Sequence, residues 1–433
     1  MDAKRLLQGL AMCLALGWTL AASANQAALK PRTALFDHLT VEQGLSQSVV
    51  HTIVQDVQGY IWLGTQEGLN RWDGNDLRLY EHVYNDPTTL SDNYIWSITV
   101  ADDGTLWLGT DAGGLNRYNR QDDSFTHFRH DENDAGSLSH DRVRVVYQDR
   151  LGNIWVGTDG GGLNRLDAAT GTFEHFQHDE SDATSLPSNS VLAMLEDRNG
   201  NLWVGTSGGG LARMDRDTGS FERFAHDADN PASLSGNSVR SIYEDRDGRI
   251  WVGTYQGGLN LFDVASGSFQ RFMHDPADNR SLSNNKVRAI YQDFNGALWV
   301  GTDGGLNEWR PASGGFARYQ HQLADDASLS DSRVTTIMQD RGGVLWVGTY
   351  VGANSWNYLS DAFTYFQAEG TALRLSSNIV TAVNESRSGE IWAGTYGGGL
   401  NLIDENAGET RTFNRGNSDL PDDRVMAVHP DQL

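Results

Sequence analysis

Arg249-Ile-Trp-Val-Gly-Thr254 is a short apolar run that stops at Gly-Thr. Its core, aliphatic-Trp-x-Gly-Thr, returns eight times, at Trp62, Trp107, Trp155, Trp203, Trp251, Trp299, Trp346 and Trp392. Successive tryptophans are 45, 48, 48, 48, 48, 47 and 46 residues apart. Eight of the chain's thirteen tryptophans thus share one register, which marks a repeat architecture.

Working outward from that stretch, one period reads as four strands. Val239-Arg-Ser-Ile-Tyr-Glu-Asp245 is rich in β-branched and aromatic residues and runs into the turn Asp245-Arg-Asp-Gly248. The Trp strand follows, then a break at Tyr255-Gln-Gly-Gly258, a third strand at Leu259-Asn-Leu-Phe-Asp263, a turn, and a fourth at Phe269-Gln-Arg-Phe272. In chain order these are strands a, b, c and d. A polar loop from His274 to Asn285 leads into the next unit. Four short strands per period fit a propeller blade or a long sandwich array, and the near-constant spacing favours the blade. The eight tryptophans are therefore expected in the core between blades, with the Gly two residues on allowing neighbouring sheets to approach.

The pattern Asn237-Ser-Val-x-x-Ile, Asp245-x-x-Gly248-x-Ile-Trp-Val-Gly-Thr254, Gly258-Leu-Asn260, Asp263 and Gly267-x-Phe269 resembles the two-component regulator propeller repeat. The resemblance runs from about Phe36 to the C-terminus. It implies the periplasmic sensor region of a bacterial signalling protein. Such proteins carry two consecutive seven-bladed propellers, an immunoglobulin-like domain, one membrane helix and a cytoplasmic histidine kinase or diguanylate cyclase. The expected fold is all-β: a seven-bladed propeller of four-stranded antiparallel blades over residues 25–372, then the first part of a second propeller over 373–433. The chain is expected to be an N-terminal fragment, because Asp423-Arg-Val-Met-Ala-Val428 reads as a strand a without a following Trp strand. One eight-bladed ring is the alternative.

The chain carries 33 basic and 57 acidic residues, a formal charge of −24, which argues against nucleic acid as partner. Lys4 and Arg5 followed by an apolar run to Ala22 and by Ala22-Ser23-Ala24 read as a signal peptide over residues 1–24. The one cysteine, Cys13, falls within it, so no disulfide or thiol chemistry is expected afterwards. Export to the periplasm follows from this reading.

Antiparallel order puts loops d–a and b–c on one face of the ring and turns a–b and c–d on the other. The a–b and c–d turns are short and uniform, whereas the b–c position after Thr varies: Gln66, Asp111, Asp159, Ser207, Tyr255, Asp303, Tyr350 and Tyr396. Binding groups are expected on that variable face. Candidate ligand residues are Asp111, Asp159, Tyr255, Asp303 and Tyr350 on the rim, with Arg144, Arg240 and Arg288 from innermost strands; Trp96 and Arg333 also read as early strand-a residues. Tyrosines with Asp and Arg suit a small polar ligand such as a saccharide. The repeated His130-Asp131, His178-Asp179, His226-Asp227 and His274-Asp275 would be spread around the ring, so no metal site is expected. No cofactor is expected, and no nucleophile elbow or phosphate loop is present. The chain therefore reads as a non-enzymatic sensor region, with a homodimer formed through the longer protein. A propeller lyase resembling streptogramin-inactivating enzymes, an acid/base hydrolase built from rim carboxylates, and a protein-interaction platform are the alternatives.

Overall fold

The computed structural model describes residues 34–357, 366–368, 373–386, 389–404 and 408–429. The expected signal peptide lies outside them. Among the described residues the strands form eight four-stranded antiparallel sheets. The chain divides into two compact units, Met1–Leu359 and Ser360–Leu433.

The first unit is a closed ring of seven blades. Its innermost strands are Val50–Gln55, Ile95–Val100, Val143–Gln148, Val191–Glu196, Val239–Glu244, Val287–Gln292 and Val334–Gln339. Each packs on the next, and the last returns to the first. At that junction Arg341 N donates to Gln55 Oε1 at 2.8 Å, as Arg198 N does to Glu244 Oε2 at 2.8 Å within the ring.

The seventh blade is made by both ends of the unit. Val334–Gln339, Val344–Thr349 and Gly352–Asn357 supply strands a to c. Strand d is Asp37–Leu39, with Asp37 opposite Ser355, His38 opposite Asn354 and Leu39 opposite Ala353. Phe36, 5% exposed, packs on Trp356 with ring centroids 5.6 Å apart. His38 Nε2 reaches Ser328 O at 2.7 Å, the contact that His127 and His175 make in strands d of other blades. A three-residue strand gives no periodic signal, so sequence reading placed this segment within the propeller without pairing it to the seventh blade.

The repeated tryptophans Trp62, Trp107, Trp155, Trp203, Trp251, Trp299 and Trp346 are buried between blades. In six of them the indole N–H donates to the Asp that opens the a–b turn, as Trp203 does to Asp197 at 2.9 Å and Trp251 to Asp245 at 2.8 Å. Burial alone would raise the Asp197 pKa, but the Trp203, Asn201 and Asn199 donors outweigh it and hold the carboxyl below its ordinary range. The Gly two residues after each Trp is needed for space. A Cβ on Gly205 would meet Val239 Cγ1 of the next blade at 2.6 Å.

The d–a loops are held by the same few contacts in each blade. Leu138, Leu186, Leu234 and Leu282 are fully buried, and the histidines of the His-Asp pairs bond their carbonyls, as His226 Nδ1 does to Leu234 O at 2.8 Å. These histidines are loop fasteners.

In the second unit Val380–Glu385, Ile391–Thr395, Gly399–Asp404 and Glu409–Phe413 form one sheet. Trp392 is half-buried there and stacks on Phe413 at 5.8 Å. The segment expected as a further strand a makes an isolated bridge, Arg424 to Tyr396, and Thr381 Oγ1 donates to Val425 O.

Candidate functional site

Strand a pairs with strand b in a register that skips one residue at the same place in all seven blades of the ring. The skips fall between Val50 and Thr52, Ile95 and Ser97, Val143 and Val145, Val191 and Ala193, Val239 and Ser241, Val287 and Ala289, and Val334 and Thr336. A bulge re-aims the side chain it carries. The bulged residues, His51, Trp96, Arg144, Leu192, Arg240, Arg288 and Thr335, line one cavity of about 150 Å³ where the seven innermost strands meet.

Four of these seven had been singled out from sequence: Trp96, Arg144, Arg240 and Arg288. His51, Leu192 and Thr335 had not, although a signal existed. Each lies eleven residues before its Trp, as 51 precedes 62 and 240 precedes 251. Arg333 lies outside this register. It precedes strand Val334–Gln339, pairs with Asp331 at 2.9 Å and sits over the Tyr350 ring at 4.3 Å.

The b–c residues form a second tier around the cavity. Tyr255 faces Arg240 at 4.7 Å, Lys286 at 5.0 Å and Arg288 at 5.7 Å from its ring centroid. Asp303 pairs with Arg288 and, at 3.5 Å, with Lys286, while Tyr350 meets Arg288 at 5.6 Å. Across the ring, Asp111 accepts from the Trp96 indole at 2.9 Å and from Arg142 at 3.1 Å, and Arg142 approaches Asp159 at 3.8 Å. Arg142, Lys286 and Tyr94 were missed because they stand just before strand a, where sequence reading ended the loop.

The cavity wall is chemically uneven. His51 and Trp96 make an aromatic side backed by Tyr94, with His51 stacked on Tyr94 at 5.1 Å and both rings 4.5 Å from Trp96. Arg144 lies 3.4 Å over the Trp96 ring. Burial, then the neighbouring Arg240, pulls the Arg144 pKa down to about 10, so it stays charged at neutral pH. Burial and Arg288 lower Arg240 likewise. For Arg288 burial works the same way but is outweighed by Asp303, and the pKa rises.

His51 is held neutral. Burial, then Arg144 and Arg288, pulls its pKa down to about 4 from 6.5, and its Nε2 has no hydrogen-bond partner. The unfolded chain takes up a proton below pH 6.5 that the folded protein refuses until about pH 4. Stability therefore falls as pH drops through that window and levels below it. Relative to wild type, His51→Asn should flatten this limb by about 2 kcal/mol, allowing for partial exposure. Denaturant titrations of both proteins at pH 7, 5.5 and 4 would check it, and parallel curves would contradict it.

The two-component regulator propeller pattern matches seven times, at residues 44–67, 89–112, 137–160, 185–208, 233–256, 281–304 and 328–351. This chain belongs to that family. Each match spans the end of a d–a loop, strand a and strand b, so the family pattern covers the bulge and the Trp in every blade of the ring.

Among solved structures, the chain is similar to one described as the extracellular domain of a hybrid two-component system, BT3049 of B. thetaiotaomicron. The two are 28% identical with a TM-score of 0.70, over 92% of this chain and 51% of the other. The chain thus spans about half the length of that domain. A histidine kinase, P4 of Formosa agariphila, is 42% identical over 57 residues, 13% of this chain and 4% of that protein. Virginiamycin B lyase of Staphylococcus aureus aligns at 13% identity with a TM-score of 0.55, over 74% of this chain and 98% of the lyase. That likeness is one of fold alone. The family and the BT3049 likeness support a sensor region of two-component systems.

Proposed function

We propose that this chain is the periplasmic ligand-sensing region of a transmembrane signalling protein, and that a small polar ligand such as a saccharide enters the axial mouth. The carrying observation is contrast within the repeat. The blades share one Trp-x-Gly-Thr scaffold, yet the bulge position holds His, Trp, Arg, Leu, Arg, Arg and Thr in turn. A rigid ring presenting different side chains to one point is suited to recognition. The mouth carboxylates Asp111, Asp159 and Asp303 each lie against a basic side chain, an array of paired charges that suits the binding of a polar ligand.

In this reading the output domain, a histidine kinase or diguanylate cyclase, belongs to the longer protein. Ligand would bias how propeller modules or two subunits of a homodimer pack, and a membrane helix would carry the bias inward. Calorimetry against a panel of oligosaccharides and small anions tests the site. Arg240→Ala and Tyr255→Ala should weaken binding about tenfold or more, because each removes a charged or stacking group. Their melting should stay near wild type. Asp217→Asn, an exposed c–d turn change on the opposite face, should bind as wild type does. Equal loss in that control, or unchanged binding in both mouth variants, would sink the assignment.

A further inference from the structure

We infer that the axial mouth is built for an anionic end group, a carboxylate or a sulfate, held between Arg144 and Arg240. This deepens, and rests on, the reading of the mouth as the ligand site. Six basic side chains surround the cavity, and four have carboxylate partners. Arg288 and Lys286 share Asp303, Arg142 takes Asp111 and Asp159, and Arg333 takes Asp331. Among the described residues Arg144 and Arg240 pair with no carboxylate, and the buried Nε of Arg240 has no hydrogen-bond partner. Both guanidiniums are covered on a face by an aromatic ring, Arg144 by Trp96 at 3.4 Å and Arg240 by Tyr255 at 4.7 Å. Stacking on a ring face leaves the in-plane N–H donors free, the geometry that grips a planar or tetrahedral anion with two bonds.

Two neighbouring guanidiniums with no carboxylate in contact repel each other and have lost part of their hydration, and Asp159, acting on both from a distance, does not offset this. A chain with 57 acidic residues has the means to place a carboxylate there. The missing charge is therefore supplied from outside. Size limits what enters. About 150 Å³ is below the roughly 300–1,000 Å³ of sites that swallow a whole ligand, so the cavity takes an end group while the rest lies along the rim. The His51, Tyr94 and Trp96 rings beside the arginines, with Trp96 tilted against the other two, offer aromatic edges and faces to the rest of a ligand. An acidic saccharide and a free organic acid share this chemistry.

The test compares the wild-type chain with Arg144→Gln, Arg240→Gln and the double variant. Binding of trigalacturonate, neutral galactotriose and succinate is measured by calorimetry, and melting is followed with and without millimolar sulfate. Wild type should bind trigalacturonate at least about tenfold more tightly than galactotriose, and the variants should lose that margin. Sulfate should raise the wild-type melting temperature more than the double variant's, a difference that removes its general salt effect. Without ligand the single variants should melt at or above wild type, because a like-charge contact is relieved. Succinate matching trigalacturonate would assign a free acid as the source, and weak succinate binding an acidic saccharide; either supports the anion site. Galactotriose binding as tightly as trigalacturonate, variants that keep the margin, or sulfate effects equal in both proteins would overturn it. Galactotriose binding that is lost in Tyr255→Ala would overturn the anion inference and leave the sensor reading intact.

Discussion

Trp203→Ala is expected to cost the propeller roughly 3–5 kcal/mol, the range for truncating a fully buried large aromatic. Trp203 is 1% exposed, and its ring sits 5.8 Å from Phe224 and 5.3 Å from Phe262. Its removal also leaves Asp197, 4% exposed, without the indole donor at 2.9 Å. Asp197 Oδ2 still accepts from the Asn201 amide at 2.8 Å, so the lost hydrogen bond adds only about 0.5–1.5 kcal/mol. The ring contains its own comparison. Trp107 has Ala101 where the other blades of the ring place the turn Asp, so Trp107→Ala should lose packing alone and cost less. Chemical denaturation of both variants measures the difference. Ligand binding by the folded fraction should be unchanged. Normal melting with lost affinity in Trp203→Ala would instead make the tryptophan a recognition residue.

Removing residues 34–40 is expected to open the ring, whereas stopping the chain at residue 359 is expected to leave it folded. Asp37–Leu39 is the outer strand of the seventh blade, and Phe36 and Leu39 are 5% and 7% exposed. Burying two such side chains contributes about 1.5–3 kcal/mol each, before strand hydrogen bonds worth about 0.5–1.5 kcal/mol apiece. The loss is on the order of 5 kcal/mol, comparable to the whole stability of many domains. It would also expose strand Gly352–Asn357 as an unpaired edge, which invites association. The C-terminal truncation removes no strand from the seven sheets of the first unit. Melting and limited proteolysis of the two truncations decide the matter. A folded N-terminal deletion, or an unfolded C-terminal one, would show that the ring closes by other contacts.

The sequence by itself determined the blade. Its four strands and its Trp register, with Gly two residues on, are local features of the sequence. They repeat about every 48 residues, and repetition raises a weak strand signal above noise. The division into two faces followed from antiparallel order alone. That placed Asp111, Asp159, Tyr255, Asp303 and Tyr350 on one tier, where the structure has them. Only the tertiary structure decided how the ring closes. His38 meets Ser328 across 290 residues, and three residues of strand carry no periodicity to reveal the pairing. It also decided which side chains share the mouth. A single skipped residue in each strand a turns His51, Leu192 and Thr335 toward the same point as Arg144, Arg240 and Arg288. A bulge belongs to the pairing of two strands, not to either strand's sequence, so which of these groups meet, and which charges stay unpaired, became visible only once the blades were assembled.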